Sequence, residues 1–134
     1  MAQFCGKWKL AKTENFDEYM KALGVNFVLR KMAATASPVT EITYEDGVFT
    51  VTTTTTFKTN IFKFKMGEQF EEQTGDGRNC ESSVTQDGNK WIHVQKDTKE
   101  AGLETTITRE FTDDAMKMEL ILGEIVCKRD YSKL

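Results

Sequence analysis

Two arginines and a tyrosine stand where strands would aim them inward. From Leu103 to Phe111 the odd positions read Leu103, Thr105, Ile107, Arg109 and Phe111, and the even ones Glu104, Thr106, Thr108 and Glu110. Successive side chains of a strand point to opposite faces, so Arg109 is in phase with the apolar face. Near the C-terminus Ile125, Cys127, Arg129 and Tyr131 share one face, opposite Glu124, Val126, Lys128 and Asp130. Neither inward face carries a carboxylate, and desolvating an unpaired charge costs several kcal/mol per ion. Two guanidiniums and a phenol in an apolar interior call for an anion. A carboxylate suits them, because the planar guanidinium offers paired donors and Tyr131 adds one more bond. The alternative is structural: one arginine turns outward at a bulge, or each is satisfied by an internal acid or by buried water. Two in-phase arginines together with Tyr131 favour the anion.

Other chemistries lack their residues. The one histidine, His93, sits in the strand pattern Trp91-His93-Gln95 and reads as a satisfied core histidine. The three cysteines, Cys5, Cys80 and Cys127, are scattered without C-x-x-C spacing, as expected of free thiols in a reducing compartment. No zinc ligand set, Gly-x-Ser-x-Gly elbow or phosphate-binding glycine loop is present, so neither an enzyme nor a metal or other cofactor is expected. With 18 Lys+Arg against 21 Asp+Glu the net charge is -3, which lacks the basic excess that nucleic acid binding requires. A 39% hydrophobic and 29% charged composition supplies a core and excludes an apolar membrane span. Residues 1–7 contain no apolar run that would serve as a signal-peptide core, so the expected compartment is the cytosol.

The elements that must position the trio follow from turn signals. A chain of 134 residues fits one domain, residues 1–134, burying roughly 68% of its unfolded surface. Asp46-Gly47, Asp76-Gly77, Asp87-Gly88, Asp113-Asp114 and Gly123-Glu124 separate segments that alternate or are rich in β-branched and aromatic residues, which is the cadence of a β-meander. The tract Thr52 to Thr56, flanked by Val51 and Phe57, reads as one extended strand. Phe49, Val51, Phe57, Phe62, Phe64, Met66, Met116, Met118, Leu120 and Leu122 supply an apolar wall, and inward Thr53, Thr55 and Gln95 make part of the interior wet. About ten such strands closing on themselves leave room for a ligand. Near the start the period changes: Phe16, Tyr19, Met20 and Leu23 recur at helical spacing behind Asn15 as N-cap, with Gly24 as the stop. Asn26 then caps a second helix with Val25, Leu29, Met32 and Ala36 as its buried stripe, ending before Pro38. Phe27, Arg30 and Lys31 lie on another side of that helix, an aromatic ring beside two cations that with Lys21 suits an anionic membrane surface.

These residues resemble the intracellular lipid-binding protein family, which includes the cytosolic fatty acid-binding and cellular retinoic acid-binding proteins. The likeness is carried by Gly6-Lys7-Trp8-Lys9-Leu10, by Asn15-Phe16-Asp17-Glu18-Tyr19-Met20 leading into Leu23-Gly24-Val25, by Phe70 to Thr74 with Asp76-Gly77-Arg78, and by Val126 to Tyr131. It covers essentially the whole chain. The resemblance implies an all-β fold, a ten-stranded antiparallel up-and-down barrel (a lipocalin-like β-clam) capped by a helix-turn-helix. It implies intracellular binding and transport of a long-chain fatty acid, or of retinoic acid as the alternative, by a monomer in the cytoplasm and also the nucleus. Arg109, Arg129 and Tyr131 match the family's carboxylate-binding trio, with Arg109 acting through water. Phe16, Tyr19, Met20, Leu29, Thr53, Phe57, Asp76 and Arg78 match pocket or portal positions, and Met118 and Leu120 join them from the apolar wall. Retinol-binding members carry glutamine at the two arginine positions, so the arginines speak against retinol. Leu29-Arg30-Lys31 and Phe70 to Thr74 look like the retinoic acid branch, whereas Asn15 to Tyr19 and Val94-Gln95-Lys96 look like the fatty acid branch. The loop from Asp97 to Gly102 lacks the Trp-Asp-Gly common in the latter and is longer than usual.

Overall fold

A computed structural model describes residues 1–99 and 103–134. The departing loop noted above therefore lies partly outside the described residues. A short 3-10 turn at Ala2–Phe4 leads into β1 (Gly6–Glu14), followed by α1 (Phe16–Ala22) and α2 (Phe27–Thr35). Then come β2 (Val39–Glu45), β3 (Val48–Thr54), β4 (Thr59–Phe64), β5 (Phe70–Gln73), β6 (Asn79–Asp87), β7 (Lys90–Asp97), β8 (Glu104–Phe111), β9 (Ala115–Leu122) and β10 (Ile125–Lys133). All ten strands form one antiparallel sheet in the order β4-β3-β2-β1-β10-β9-β8-β7-β6-β5, which curls into a nearly closed barrel under the two helices. Four of the five turn dipeptides fall between consecutive strands as the sequence predicts; in the fifth, Asp87 is the last residue of β6 and the turn is made by Gly88 and Asn89. At the first of them Asp46 and Gly47 both take positive φ, 51° and 82°, as a two-residue primed hairpin turn requires.

The core is gathered at one end. Phe4 packs against Phe111 at 4.9 Å between ring centroids, Trp91 lies 5.1 Å from Phe111, and Phe49 lies 5.1 Å from Trp91. Trp8, Trp91, Phe4 and Phe49 are fully buried. Where β4 and β5 face each other without a ladder, stacked rings fill the seam, with Phe70 at 5.7 Å from Phe64 and 6.2 Å from Phe62.

The structure corrects three local expectations. The threonine tract is a strand only to Thr54: the Thr55 hydroxyl accepts the backbone N–H of Phe57 at 3.1 Å and of Lys58 at 3.0 Å, closing a turn. A threonine hydroxyl replaces the usual glycine signal there, so Phe57 sits on the turn rather than on the strand. Asn15 precedes α1 as expected but does not cap it with its side chain. Its φ is 64°, and its Nδ2 donates instead to the Val126 carbonyl at 3.2 Å, tying the helix to β10. Asn26 does cap α2, accepting the Leu29 N–H at 3.0 Å. The expected buried stripe of α2 is not buried, however. Leu29 is 48% and Met32 36% exposed, because the helix lies over a hollow rather than on a packed core.

Candidate functional site

That hollow has a volume of about 530 Å3, within the range of small-molecule sites. Phe16, Tyr19 and Met20 of α1 line it from above together with Leu29 of α2, while Thr53 of β3 and Met118 and Leu120 of β9 line its wall. Phe57, half exposed on the β3–β4 turn, and Asp76 and Arg78 on the β5–β6 turn stand at its mouth. Arg109, Arg129 and Tyr131 all line the same space. The structure thus brings every site residue expected from sequence to one cavity.

The two arginines are held in a row by strand register. Arg109 of β8 and Arg129 of β10 both pair with Met118 of β9, one from each side. Their backbones are therefore two strand spacings apart, about 10 Å. Tyr131 follows two residues along, opposite Met116. All three are nearly inaccessible from outside: Arg109 is 7%, Arg129 5% and Tyr131 4% exposed.

Arg129 rests its guanidinium over the Phe16 ring at 3.7 Å and donates to the Thr13 hydroxyl at 3.0 Å. Thr13 reaches it because β1 carries a bulge between Leu10 and Lys12, which shifts the phase by one residue and sets Thr13 rather than Lys12 opposite Arg129. Among the described residues no carboxylate lies within ion-pairing distance of Arg129.

Arg109 is satisfied differently. Its Nη1 meets His93 Nδ1 at 3.1 Å, and the other ring nitrogen of His93 lies 2.7 Å from Glu72 Oε1. Ser82 donates to the same oxygen at 2.9 Å, Gln95 Nε2 donates to Oε2 at 3.0 Å, and the Thr105 hydroxyl donates to Gln95 Oε1 at 2.8 Å. Burial pushes Arg109 below its ordinary pKa, against the pull of Glu72. Burial likewise holds His93 below its usual value. For Glu72 burial acts upward, and the hydrogen bonds from His93, Ser82 and Gln95 outweigh it, keeping the carboxyl below the normal range. The internal-acid alternative weighed from sequence therefore applies to Arg109 and not to Arg129.

Glu72 is the residue that sequence reasoning missed. The signal was present, since Phe70, Glu72 and Thr74 share one phase of the β5 segment; Glu72 and Thr74 are buried and Phe70 is half-buried. His93 is, as expected, a fully buried and satisfied histidine. Burial raises Tyr19 to about 12, so its phenol stays neutral. The three cysteines are free thiols, and burial raises Cys127 to about 11.

At the mouth Arg78 and Asp76 form an ion pair at 2.8 Å, and the Thr74 hydroxyl donates to Asp76 at 2.7 Å. Lys58 Nζ crosses from the β3–β4 turn to the Gly75 carbonyl at 2.6 Å, linking the two turns. On α2 the Phe27 ring lies under Lys31 Nζ at 5.1 Å and Arg30 at 5.8 Å. Arg30 is not the free surface cation expected from its spacing. It pairs with Asp17 of α1 at 3.1 Å and donates to the Val25 carbonyl at 2.7 Å, so it clips the two helices together.

A cavity lined by apolar side chains, with buried cations along one wall and a helical cap over its mouth, has the form of a binding site for an amphipathic small molecule. Residues 5–133 match the model of the lipocalin / cytosolic fatty-acid binding protein family. Cellular retinoic acid-binding protein 2 of Mus musculus is 45% identical over 98% of this chain and 98% of its own length. Fatty acid-binding protein 9 of Homo sapiens is 41% identical over 98% of this chain and 97% of its own. Among solved structures, the fatty acid-binding protein of Schistosoma mansoni in complex with arachidonic acid superposes with a TM-score of 0.93 at 38% identity, covering 100% of this chain and 98% of that one. The chain belongs to the lipocalin / cytosolic fatty-acid binding protein family. Among the described residues no helix is long and apolar enough to cross a membrane.

Proposed function

We propose that this protein binds and carries a long-chain fatty acid inside the cell, with the acyl chain in the barrel cavity and the carboxylate at Arg129, Tyr131 and Arg109. The observation that carries this reading is Arg129: a buried guanidinium facing an apolar cavity with no carboxylate partner among the described residues. A ligand carboxylate supplies the missing charge, Tyr131 donates to it, and Arg109, already held by His93, reaches it through water. A dozen buried methylenes at ~0.8 kcal/mol each supply roughly 10 kcal/mol before ordering costs, so the chain gives affinity and the arginines give orientation. The protein acts as a monomer without enzymatic activity, metal or nucleic acid partner, in the cytoplasm and the nucleus.

An acidic retinoid is the second reading, favoured by Leu29-Arg30-Lys31 and by the similarity to the murine retinoic acid-binding protein. The wall argues for the flexible chain. Met20, Met116 and Met118 line the cavity and adapt to shape, although Met66, expected beside them, packs against the aromatic core instead. A native mass spectrum of the purified protein should carry a fatty acid, and oleate should displace all-trans retinoic acid in competition. Retinoid binding tighter by about tenfold, 1.4 kcal/mol, would reverse the assignment.

The cap also meets membranes in this reading. Phe27 and Val28 are 60% and 66% exposed beside Lys31, on a protein of otherwise negative charge. Ligand transfer to vesicles should accelerate with vesicle concentration and anionic lipid content and slow with salt, each basic residue near the surface contributing ~1 kcal/mol. Because Arg30 is engaged by Asp17, the informative variant is Lys31→Glu. It should weaken the dependence on anionic lipid and leave equilibrium affinity unchanged. A transfer rate indifferent to vesicle concentration would mean that ligand leaves through water.

A further inference from the structure

Hydrogen-bond directions in the cavity wall fix its formal charge. A guanidinium can only donate, so the Arg109 contact makes His93 Nδ1 the acceptor and leaves the single proton of a neutral imidazole on Nε2, where it is given to Glu72. The Thr105 hydroxyl donates to Gln95 Oε1, which turns the Gln95 amide so that its nitrogen donates to the other Glu72 oxygen. Ser82 adds a third donor. A carboxyl group that accepts at both oxygens from three donors is the ionised form, since an acid proton would point at one of them. The interior therefore holds one anion, Glu72, and two cations, Arg109 and Arg129. At the mouth Asp76 and Arg78 cancel each other, and Lys58 is exposed to solvent. Among the described residues one positive charge is left without compensation.

We propose that Glu72 sets the charge of the ligand, because by neutralising Arg109 through His93 it leaves a cavity that accepts a singly charged amphiphile and rejects a doubly charged one. The proposal rests on the anion site described under Proposed function. A second negative charge would be desolvated without a cation to meet it, and it sheds that cost by taking a proton from solvent on entry. With Glu72 neutral, the same cavity would carry both arginines unopposed and would take a dianion as it is.

Two probes differ in charge but little in shape: hexadecyl phosphate, doubly ionised at about pH 8 because its second pKa is about 6, and hexadecyl methyl phosphate, which carries one charge. The natural protein should bind the methyl ester at least about tenfold more tightly and should take up about one proton per hexadecyl phosphate, read by calorimetry in buffers of different ionisation heat. In Glu72→Gln the discrimination should fall by about tenfold and the proton uptake should approach zero. Glu71→Gln, the same change of charge on the exposed face of β5, should behave as the natural protein does. The proton count on the unsubstituted protein decides the matter even if Glu72→Gln does not fold. Equal affinity for the two phosphates without proton uptake would overturn the proposal, as would a folded Glu72→Gln protein that still discriminates. Failure of the anion site itself has a different signature, namely equal binding of palmitate and methyl palmitate by the natural protein.

Discussion

Replacing Arg129 by glutamine should weaken palmitate binding roughly ten- to a hundredfold while changing the affinity for methyl palmitate by no more than a few-fold. Charge-assisted hydrogen bonds contribute about 1.5–3 kcal/mol, and only the ionised acid makes them. Two features of the structure make this the most sensitive position. Arg129 has no internal anion among the described residues, and its guanidinium is already stacked over Phe16 and bonded to Thr13, so little ordering remains to be done when a carboxylate arrives. Arg109→Gln should have the smaller effect on palmitate, because His93 and Glu72 satisfy that guanidinium before any ligand enters. Titration calorimetry with the acid and the ester resolves both comparisons. Equal losses for the two ligands at Arg129 would count against a carboxylate site.

The second large effect concerns the closed end of the barrel. Phe111→Ala should lower the unfolding free energy by about 3–5 kcal/mol, the range for truncating a buried aromatic ring. Phe111 lies 4.9 Å from Phe4, 5.1 Å from Trp91 and 5.6 Å from Trp8 between ring centroids, and all four rings are buried. The urea midpoint should fall with the slope unchanged. Since Phe111 is not part of the cavity wall, palmitate affinity of the folded variant should stay within a few-fold. A stability loss under about 1 kcal/mol would show that this end is loosely packed and that the fold is held elsewhere.

Alternation and turn chemistry make the barrel legible in the amino-acid sequence. The primed turn at Asp46-Gly47 and the phases of β8 and β10 are local properties, and each strand obeys them whatever its neighbours do. The arginines and Tyr131 were visible for that reason. What escaped depends on contacts between distant segments. Glu72 lies on a strand of only four residues, too short for its alternation to stand out, and its partner His93 is 21 residues away. The Arg30–Asp17 clip spans 13 residues and two helices, so spacing on one helix could not reveal it. The turn at Thr55 carries no glycine, and a run of threonines reads as strand until a hydroxyl bends back onto its own backbone. Thr13 entered the site through a bulge, which shifts phase without leaving a mark in residue types.

The seam between β4 and β5 has a bearing on how the chain finds its fold. Among the described residues every ladder in the barrel joins strands adjacent in sequence except one, β1 with β10, which sets Trp8 opposite Lys133. The two ends of the polypeptide thus meet in the middle of the sheet, while the sheet's own edges lie at the connection between Phe64 and Phe70. Folding must close a loop of nearly the whole chain to form that single pairing, and high contact order of this kind slows folding. A circular permutant opened near Gly67, with the original ends joined where Leu134 already donates to the Lys7 carbonyl at 2.8 Å, would make every strand pairing a nearest-neighbour one. The native connectivity trades that kinetic advantage for a barrel whose two unladdered edges are tethered to each other by the few residues between Phe64 and Phe70.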